Sequence, residues 1–357
     1  MNTVMHKGTG KDAPPTSVLV SVVIPAYQSA GYIAETLDSV LAQTFPRYEI
    51  LVINDGSPDT EELERVLAPY LVSIRYMQQV NGGPSVARNR GVREARGKYV
   101  AFLDSDDTWM PDHLAKQVEL LEGDPGLALV YSDAVLLKGN APVGRAFERA
   151  PQDLTVTFEA LVAERCSIGT STVVASRQAV LEAGGFEDRR RRSEDFDLWL
   201  RMAHRGVGMR YSTGAQVRHR AGNGLAMDDN VMLQAQIDVY EKTLLTLPIT
   251  GPQAELLCDK TQELQARLQL KLAKQALREG RFADALAAAR RAEVILKSTK
   301  ISFVIAGLRV APRSLRAAFS AYEGWQERKQ HRRQARLLAE NNKPAYRAAM
   351  EVAKKWD

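Results

Sequence analysis

Cysteine is scarce: Cys166 and Cys258 are the only two in 357 residues, far apart and outside any CxxC pattern. That usage excludes a disulfide framework and a zinc cluster, and it suits a reducing cytoplasm. No run of eighteen apolar residues exists, so no membrane-spanning helix is expected. Residues 1–17 are polar and rich in Gly, Pro and Lys, without the apolar core of a secretory signal, and are expected to form a disordered leader. The turn after the first apolar run reads Pro25-Ala-Tyr-Gln-Ser-Ala-Gly31, so the GxGxxG marker of a dehydrogenase is missing. The basic C-terminal stretch lacks the interleaved aromatics of a recognisable nucleic-acid module, and no nucleic-acid partner is expected.

What is present suits a packed globular chain: 45% hydrophobic and 25% charged residues, with a net charge of +5. The length fits one large domain with an appendage. From residue 18 to about 133, apolar runs alternate with helical patterns. Strands are expected over Val18–Ile24, Glu49–Ile53, Ser73–Tyr76 and Tyr99–Leu103, with helices beginning near Tyr32, Thr60 and Ser85. The order predicts an α/β fold, a Rossmann-like, mostly parallel sheet flanked by helices, over 18–226. After Met227 the pattern turns to long helices, so 227–357 is expected to be an α-helical C-terminal region. It contains one tetratricopeptide-like helix pair at Ala273–Leu286, which cannot bury its own face alone and leaves room for a homodimer.

Two acidic sites, Asp55 and Asp104-Ser-Asp-Asp107, each follow an apolar run. In open α/β sheets ligands bind beyond the carboxyl ends of the strands, which is where both sites fall. Consecutive carboxylates repel one another, so the second site points to a hard cation or a phosphate-bound metal. Gly82-Gly83 opens the helix that carries Ala87 and Arg88, an arrangement suited to a diphosphate. Glu194-Asp195 starts another helix, whose apolar face is Phe196, Leu198, Trp199, Leu200 and Met202. Each element has a plain structural alternative: Asp55 as an Asx-turn residue, Arg88 as a surface arginine, Glu194 and Asp195 as dipole partners of a helix start. The run Arg189–Arg192 reads first as a solvated charge cluster and second as a phosphate grip.

Six stretches in order resemble the inverting family 2 glycosyltransferases with a GT-A fold. They are Val22–Tyr27, Val52–Ser57, Asn81–Gly91, Phe102–Asp107, Gly184–Phe186 and Ser193–Arg201, and the resemblance covers roughly residues 20 to 225. It implies that Pro25, Ala26, Tyr27, Asp55, Ala87, Arg88, Asp104 and Ser105 bind a nucleotide sugar, UDP-linked in the first instance. It further implies Mn²⁺ or Mg²⁺ held by Asp106 and Asp104, with His219 as a looser candidate because Arg218 directly precedes it. Asp195 would be the catalytic base, with Glu194 its neighbour or an acceptor ligand. The expected acceptor is a glycan or lipid-linked hydroxyl in surface polysaccharide or glycolipid synthesis, and the alternative is an inactive scaffold acting through its helical tail. In that tail, Ile301–Pro312 is apolar and is followed by arginines at 313, 316 and 328. Residues 301–330 could thus pack on neighbouring helices or touch the inner face of the plasma membrane peripherally.

Overall fold

The computed structural model describes residues 17–148, 152–188, 192–220 and 229–341. The expected disordered leader, Arg189–Arg191 and the Gly222–Gly224 break lie outside them; Arg192 is described and half-buried.

A βα alternation opens the fold: β1 (Val20–Ala26), α1 (Ile33–Leu41), β2 (Tyr48–Asp55), α2 (Thr60–Leu67), β3 (Ile74–Gln79), α3 (Pro84–Glu94) and β4 (Tyr99–Phe102). Continuous apolar runs such as Val-Ser-Val-Val-Ile in β1 can be buried on both faces, as central parallel strands require. Then come β5 (Thr108–Trp109), α4 (His113–Gly123), β6 (Leu127–Lys138), β7 (Ala141–Arg145), α5 (Phe158–Val162), β8 (Val173–Ser176), α6 (Arg177–Glu182), α7 (Glu194–His204) and β9 (Gly208–Arg220). The sheet runs β3-β2-β1-β4-β8-β6-β9-β5, with β7 on β6. Its first half is entirely parallel. The second half is mixed: β8 is antiparallel to β4 and β6, while β6 and β9 are parallel. Because β8 reverses direction between β4 and β6, the carboxyl ends of β4, β6 and β9 lie on the same side of the sheet as those of β1 and β2.

Side chains alternate across a strand, so β1 serves two cores. Val20, Val22 and Ile24 join Ile33, Leu37 and Val40 of α1 and Leu114, Val118 and Leu121 of α4 on one face. On the other, Val23 meets Gly91 of α3 so closely that an added Cβ would sit 2.2 Å from its Cγ1. Phe102 of β4 there packs edge-on to Phe186 at 5.1 Å and beside Trp199 of α7 at 6.5 Å. All three rings are buried, at roughly 2 to 3 kcal/mol each.

The helices α8 (Asp229–Thr246), α9 (Gly251–Glu279), α10 (Phe282–Leu296), α11 (Thr299–Val310) and α12 (Pro312–Asn341) complete the chain. Two compact units result, divided at Thr261/Gln262 within α9. The first unit thus continues past the boundary at 226 expected from the sequence, because α8 seats on it. Phe196 and Tyr240 stack edge-on at 5.7 Å, the Tyr240 hydroxyl donates to Val162 O, and Lys242 pairs with Asp197 at 2.9 Å. In the second unit, Gly280 (φ +77°) ends α9, its N–H donating to Leu277 O and that of Arg281 to Ala276 O. The helix pair at this turn buries Ala273, Ala276, Ala285, Ala288, Ala289 and Ala292 against Ile301, Ile305 and Leu308 of α11. Alanines at these contacts let the helix axes approach closely.

Candidate active site

At the carboxyl end of β2, Asn54 supplies the turn chemistry, its Oδ1 accepting from the Ser57 N–H at 2.9 Å. That leaves the Asp55 carboxylate free for another role. It is buried and accepts three hydrogen bonds, from Gln79 Nε2 (2.8 Å), the Gly82 N–H (2.9 Å) and the Gly83 N–H (2.7 Å). Asp55 therefore holds the glycine loop at the start of α3. Gly83 has φ +89°, a conformation only glycine adopts without strain. Of the neighbouring residues expected to bind a nucleotide, Ala26 and Ala87 are buried, Pro25 is half-buried and Tyr27 is 48% exposed.

Arg88 is not a surface arginine. It is buried in α3, with Nη2 2.6 Å from Asp104 Oδ1 and Nη1 2.8 Å from Glu194 Oε1. Burial opposes its charge, but Asp104 and Glu194 outweigh that cost and raise its pKa. The guanidinium also lies 5.4 Å from the centre of the Phe186 ring. One residue on, Asn89 donates to Phe186 O and Asp188 and accepts from the Phe186 N–H, tying α3 to the Gly184-Gly185-Phe186 segment. Both of those glycines have positive φ. Through Arg88 and Asn89 the fold brings Asp104 and Glu194 together.

In the Asp104–Asp107 cluster each carboxylate has a different setting. Asp104 is the Arg88 partner. Ser105 is half-buried and its carbonyl accepts from Thr36 Oγ1 at 2.9 Å. Asp106 forms no ion pair among the described residues, and burial followed by its neighbours Asp107 and Asp104 pushes it up to about 6 against a smaller opposing pull from the nearby His219. Asp107 is buried and clamps the end of β9. It accepts from His219 Nδ1 at 3.0 Å and from the Arg220 N–H at 3.0 Å. That hydrogen bond lifts His219 to about 9 against the cost of burial. With Nδ1 engaged, Nε2 is the ring atom left to contact a ligand, and in the protonated ring it does so as an N–H donor.

Asp104 and Asp106 offer hard oxygen donors, and the uncompensated charge of Asp106 is what a divalent cation would neutralise. Among the described residues no three His, Cys, Asp or Glu side chains converge as a complete metal cage. The donor set thus fits an oxygen-loving cation that takes its remaining ligands from elsewhere, not a self-contained protein site.

Asp195 stands in the first turn of α7 after Ser193, whose φ of +55° turns the chain into the helix. Its Oδ2 accepts from Thr170 Oγ1 at 2.9 Å and its Oδ1 from the Phe196 N–H at 2.8 Å. Burial, then the adjacent Glu194, pushes Asp195 up to about 6, close to the range of a working general base. Sequence reasoning missed Thr170. Its only trace was the hydroxyl-rich Gly169-Thr-Ser-Thr172 run, which also positions Ser171, whose Oγ accepts from the Asp104 N–H at 3.1 Å.

The family model described as Glycosyl transferase family 2 matches residues 21–141, and that described as Glycosyl transferase family group 2 matches 99–227. The chain is 32% identical over 183 residues to the Escherichia coli UDP-Glc:alpha-D-GlcNAc-diphosphoundecaprenol beta-1,3-glucosyltransferase WfgD, covering 51% of this chain and 68% of that protein. An uncharacterized glycosyltransferase of Rickettsia conorii is 33% identical over 199 residues, 54% of this chain, and the match spans only 33% of that relative's length. Among solved structures, S. aureus TarS 1–349 in complex with UDP-GlcNAc aligns over 86% of this chain and 92% of that one, with TM-score 0.57 and 16% identity. The mannosyltransferase PcManGT from Pyrobaculum calidifontis, in complex with GDP-Man and Mn²⁺, aligns over 90% and 91% with TM-score 0.54 and 19% identity. At these identities the two structures speak for the fold.

Proposed function

This chain belongs to glycosyltransferase family 2 and has the GT-A fold, and from that premise we propose that it is an inverting, metal-assisted transferase of a sugar from a nucleotide sugar to an acceptor hydroxyl. The observation that carries this reading is the Arg88 bridge. One buried guanidinium joins Asp104, on the donor side, to Glu194, beside the base.

In this proposal the nucleoside lies along Pro25, Ala26, Tyr27 and the loop held by Asp55, with Ala87, Asp104 and Ser105 closing the pocket toward the sugar. Asp106 and Asp104 would hold Mn²⁺ or Mg²⁺, with His219 Nε2 a further candidate ligand once the cation displaces its proton. A bound divalent cation would supply Lewis-acid stabilisation of the charge developing on the departing diphosphate. Asp195 takes the acceptor hydroxyl proton on a carboxylate oxygen as the acceptor oxygen attacks the anomeric carbon. The bond from that carbon to the diphosphate breaks in the same displacement, so configuration inverts and a nucleoside diphosphate leaves. Thr170 and the Phe196 N–H keep the carboxylate oriented, each occupying one lone pair on a different oxygen. Glu194, held by Arg88, raises the proton affinity of Asp195.

The donor is proposed to be a UDP-sugar and the acceptor a lipid-linked or polymeric glycan, in keeping with the activity for which the E. coli relative is named. Nucleoside diphosphate release from a panel of UDP-, GDP- and dTDP-sugars with Mn²⁺, in the presence and absence of undecaprenyl-diphosphate-linked sugars, tests this. Metal-dependent release lost in Asp106→Ala and Asp195→Asn is the expected result. Release unaffected by either substitution would remove Asp106 and Asp195 from the mechanism.

A further inference from the structure

The helix α11 carries two apolar stripes separated by Lys300 on one flank and by Ser302 and Arg309 on the other, and only one of the two is covered. Ile301, Ile305 and Leu308 are buried in the core of the second unit, where Leu315 and Phe319 of α12 also pack. On the opposite stripe, Phe303, Ala306 and Val310 recur at helical spacing, with Phe303 78% and Val310 86% exposed. Exposed apolar side chains clustered on one helix face and rimmed by charge mark an interaction surface, so this stripe implies an occupant.

The surrounding charge identifies its chemistry. Lys300 and Arg309 of the same helix and Arg313 just after it are exposed, and Arg309 and Arg313 have no acidic partner among the described residues. Across 299–341 the sequence carries nine Lys and Arg against three Glu. Such an excess opposes docking of a second copy through this face, since like charges would be brought together, whereas it complements anionic headgroups. Further along, α12 exposes Tyr322 and Trp325, with ring centroids 6.1 Å apart and the Lys329 ammonium 5.1 Å from the Trp325 ring. Amphipathic rings of this kind favour the boundary between water and acyl chains. Among the described residues no helix is long and apolar enough to cross a bilayer, which leaves an in-plane contact.

We propose that the outer stripe of α11 is a surface that rests on an anionic lipid bilayer: Phe303 and Val310 enter the interface, and Lys300, Arg309 and Arg313 meet the headgroups. The proposal does not depend on the transferase reading. Its test is co-sedimentation of the full chain with vesicles of phosphatidylcholine alone or of equal parts phosphatidylcholine and phosphatidylglycerol, across a salt series. The native chain is expected to bind the anionic vesicles at least ~10-fold better than the neutral ones, the preference shrinking as salt rises. Phe303→Asp with Val310→Asp is expected to abolish binding, and Arg309→Glu with Arg313→Glu to weaken it ~10-fold or more. Both pairs are exposed, so their thermal melting should match the native chain, and a variant that melts early would be replaced by Phe303→Ser alone. Absence of binding to anionic vesicles, or equal binding by the variants, overturns the proposal. So does light scattering that shows a dimer dissociated by Phe303→Asp in a chain that binds no vesicles.

Discussion

Asp55 is fully engaged, with three donors on its two oxygens, whereas among the described residues Asp106 forms no ion pair and Asp195 accepts from only two neutral donors. Asp55 and Asp106 follow strand ends and Asp195 opens a helix, and burial affects the three differently. Asp55 is used to build: it fixes a loop whose backbone N–H groups have no other way to stay in place. Asp106 and Asp195 are left with unmet demand, and burial together with neighbouring carboxylates pushes both to about 6. A carboxylate whose hydrogen-bonding capacity is consumed by the fold stabilises it, whereas one held short of partners is available to a ligand or a proton.

The contrast can be broken most severely at Asp195. Asp195→Asn is expected to lower kcat about a thousandfold, the scale of a lost general base, while leaving the fold intact or more stable by roughly 1 kcal/mol at pH 7. The sign follows from the raised value. The native fold favours the protonated acid, so the stability this group contributes is full below about pH 4 and is lost as pH rises through about 6. Loss of stability together with activity would place Asp195 with the builders. Arg88→Met moves the other way, stranding Asp104 and Glu194 in a buried site, and should cost roughly 3 kcal/mol in urea unfolding. An unfolding midpoint unchanged from native would show that the bridge contributes nothing to the fold.

Asp55→Asn sharpens the builder side. An amide cannot accept on both ends, so at least one glycine-loop N–H faces a donor, and roughly 2 kcal/mol of stability should be lost, with faster amide exchange at Gly82 and Gly83. Unchanged exchange there would contradict the loop-holding role. The smallest expected effect is at Thr170. Turnover in the native chain should rise with pH up to about 6 and level off as Asp195 ionises. Thr170→Val removes a donor that favours the ionised form, so the inflection should move upward by about half a unit, with kcat above pH 8 little changed. A shift downward would refute this assignment of the hydrogen bond.

Much of the parallel half of the sheet was legible because β1, β2 and β4 are short apolar runs that need no partner to be recognised. The other half was not. In β9, Gly208–Arg220 carries Ser, Thr, Gln, Arg and His, a pattern that becomes a strand only beside β6, where Gly208 fits under the Gly126 carbonyl. The site divides in the same way. Asp104, Asp106, Glu194 and Asp195 announce themselves by repulsion and position, whereas the pairing of Arg88 with partners 16 and 106 residues away depends on how the sheet closes. Thr170 was hidden because a hydroxyl in a Gly-Thr-Ser-Thr run is ordinary turn chemistry until α7 lies beside it. The role of Asp107 was equally hidden, because its partners, His219 and Arg220, come from a strand the sequence does not declare.

Gly91 touches neither the proposed donor nor the acceptor. Its missing Cβ lets α3 lie directly on Val23, a buried β-branched side chain with little freedom to yield, and Arg88 stands one helical turn earlier on the same helix. A single methyl group there would lift the helix off the sheet and carry the guanidinium away from both carboxylates. Genetic screens that score loss of product would then count this silent backbone position among the active residues, so a functional map drawn from such losses would be wider than the chemistry it seeks.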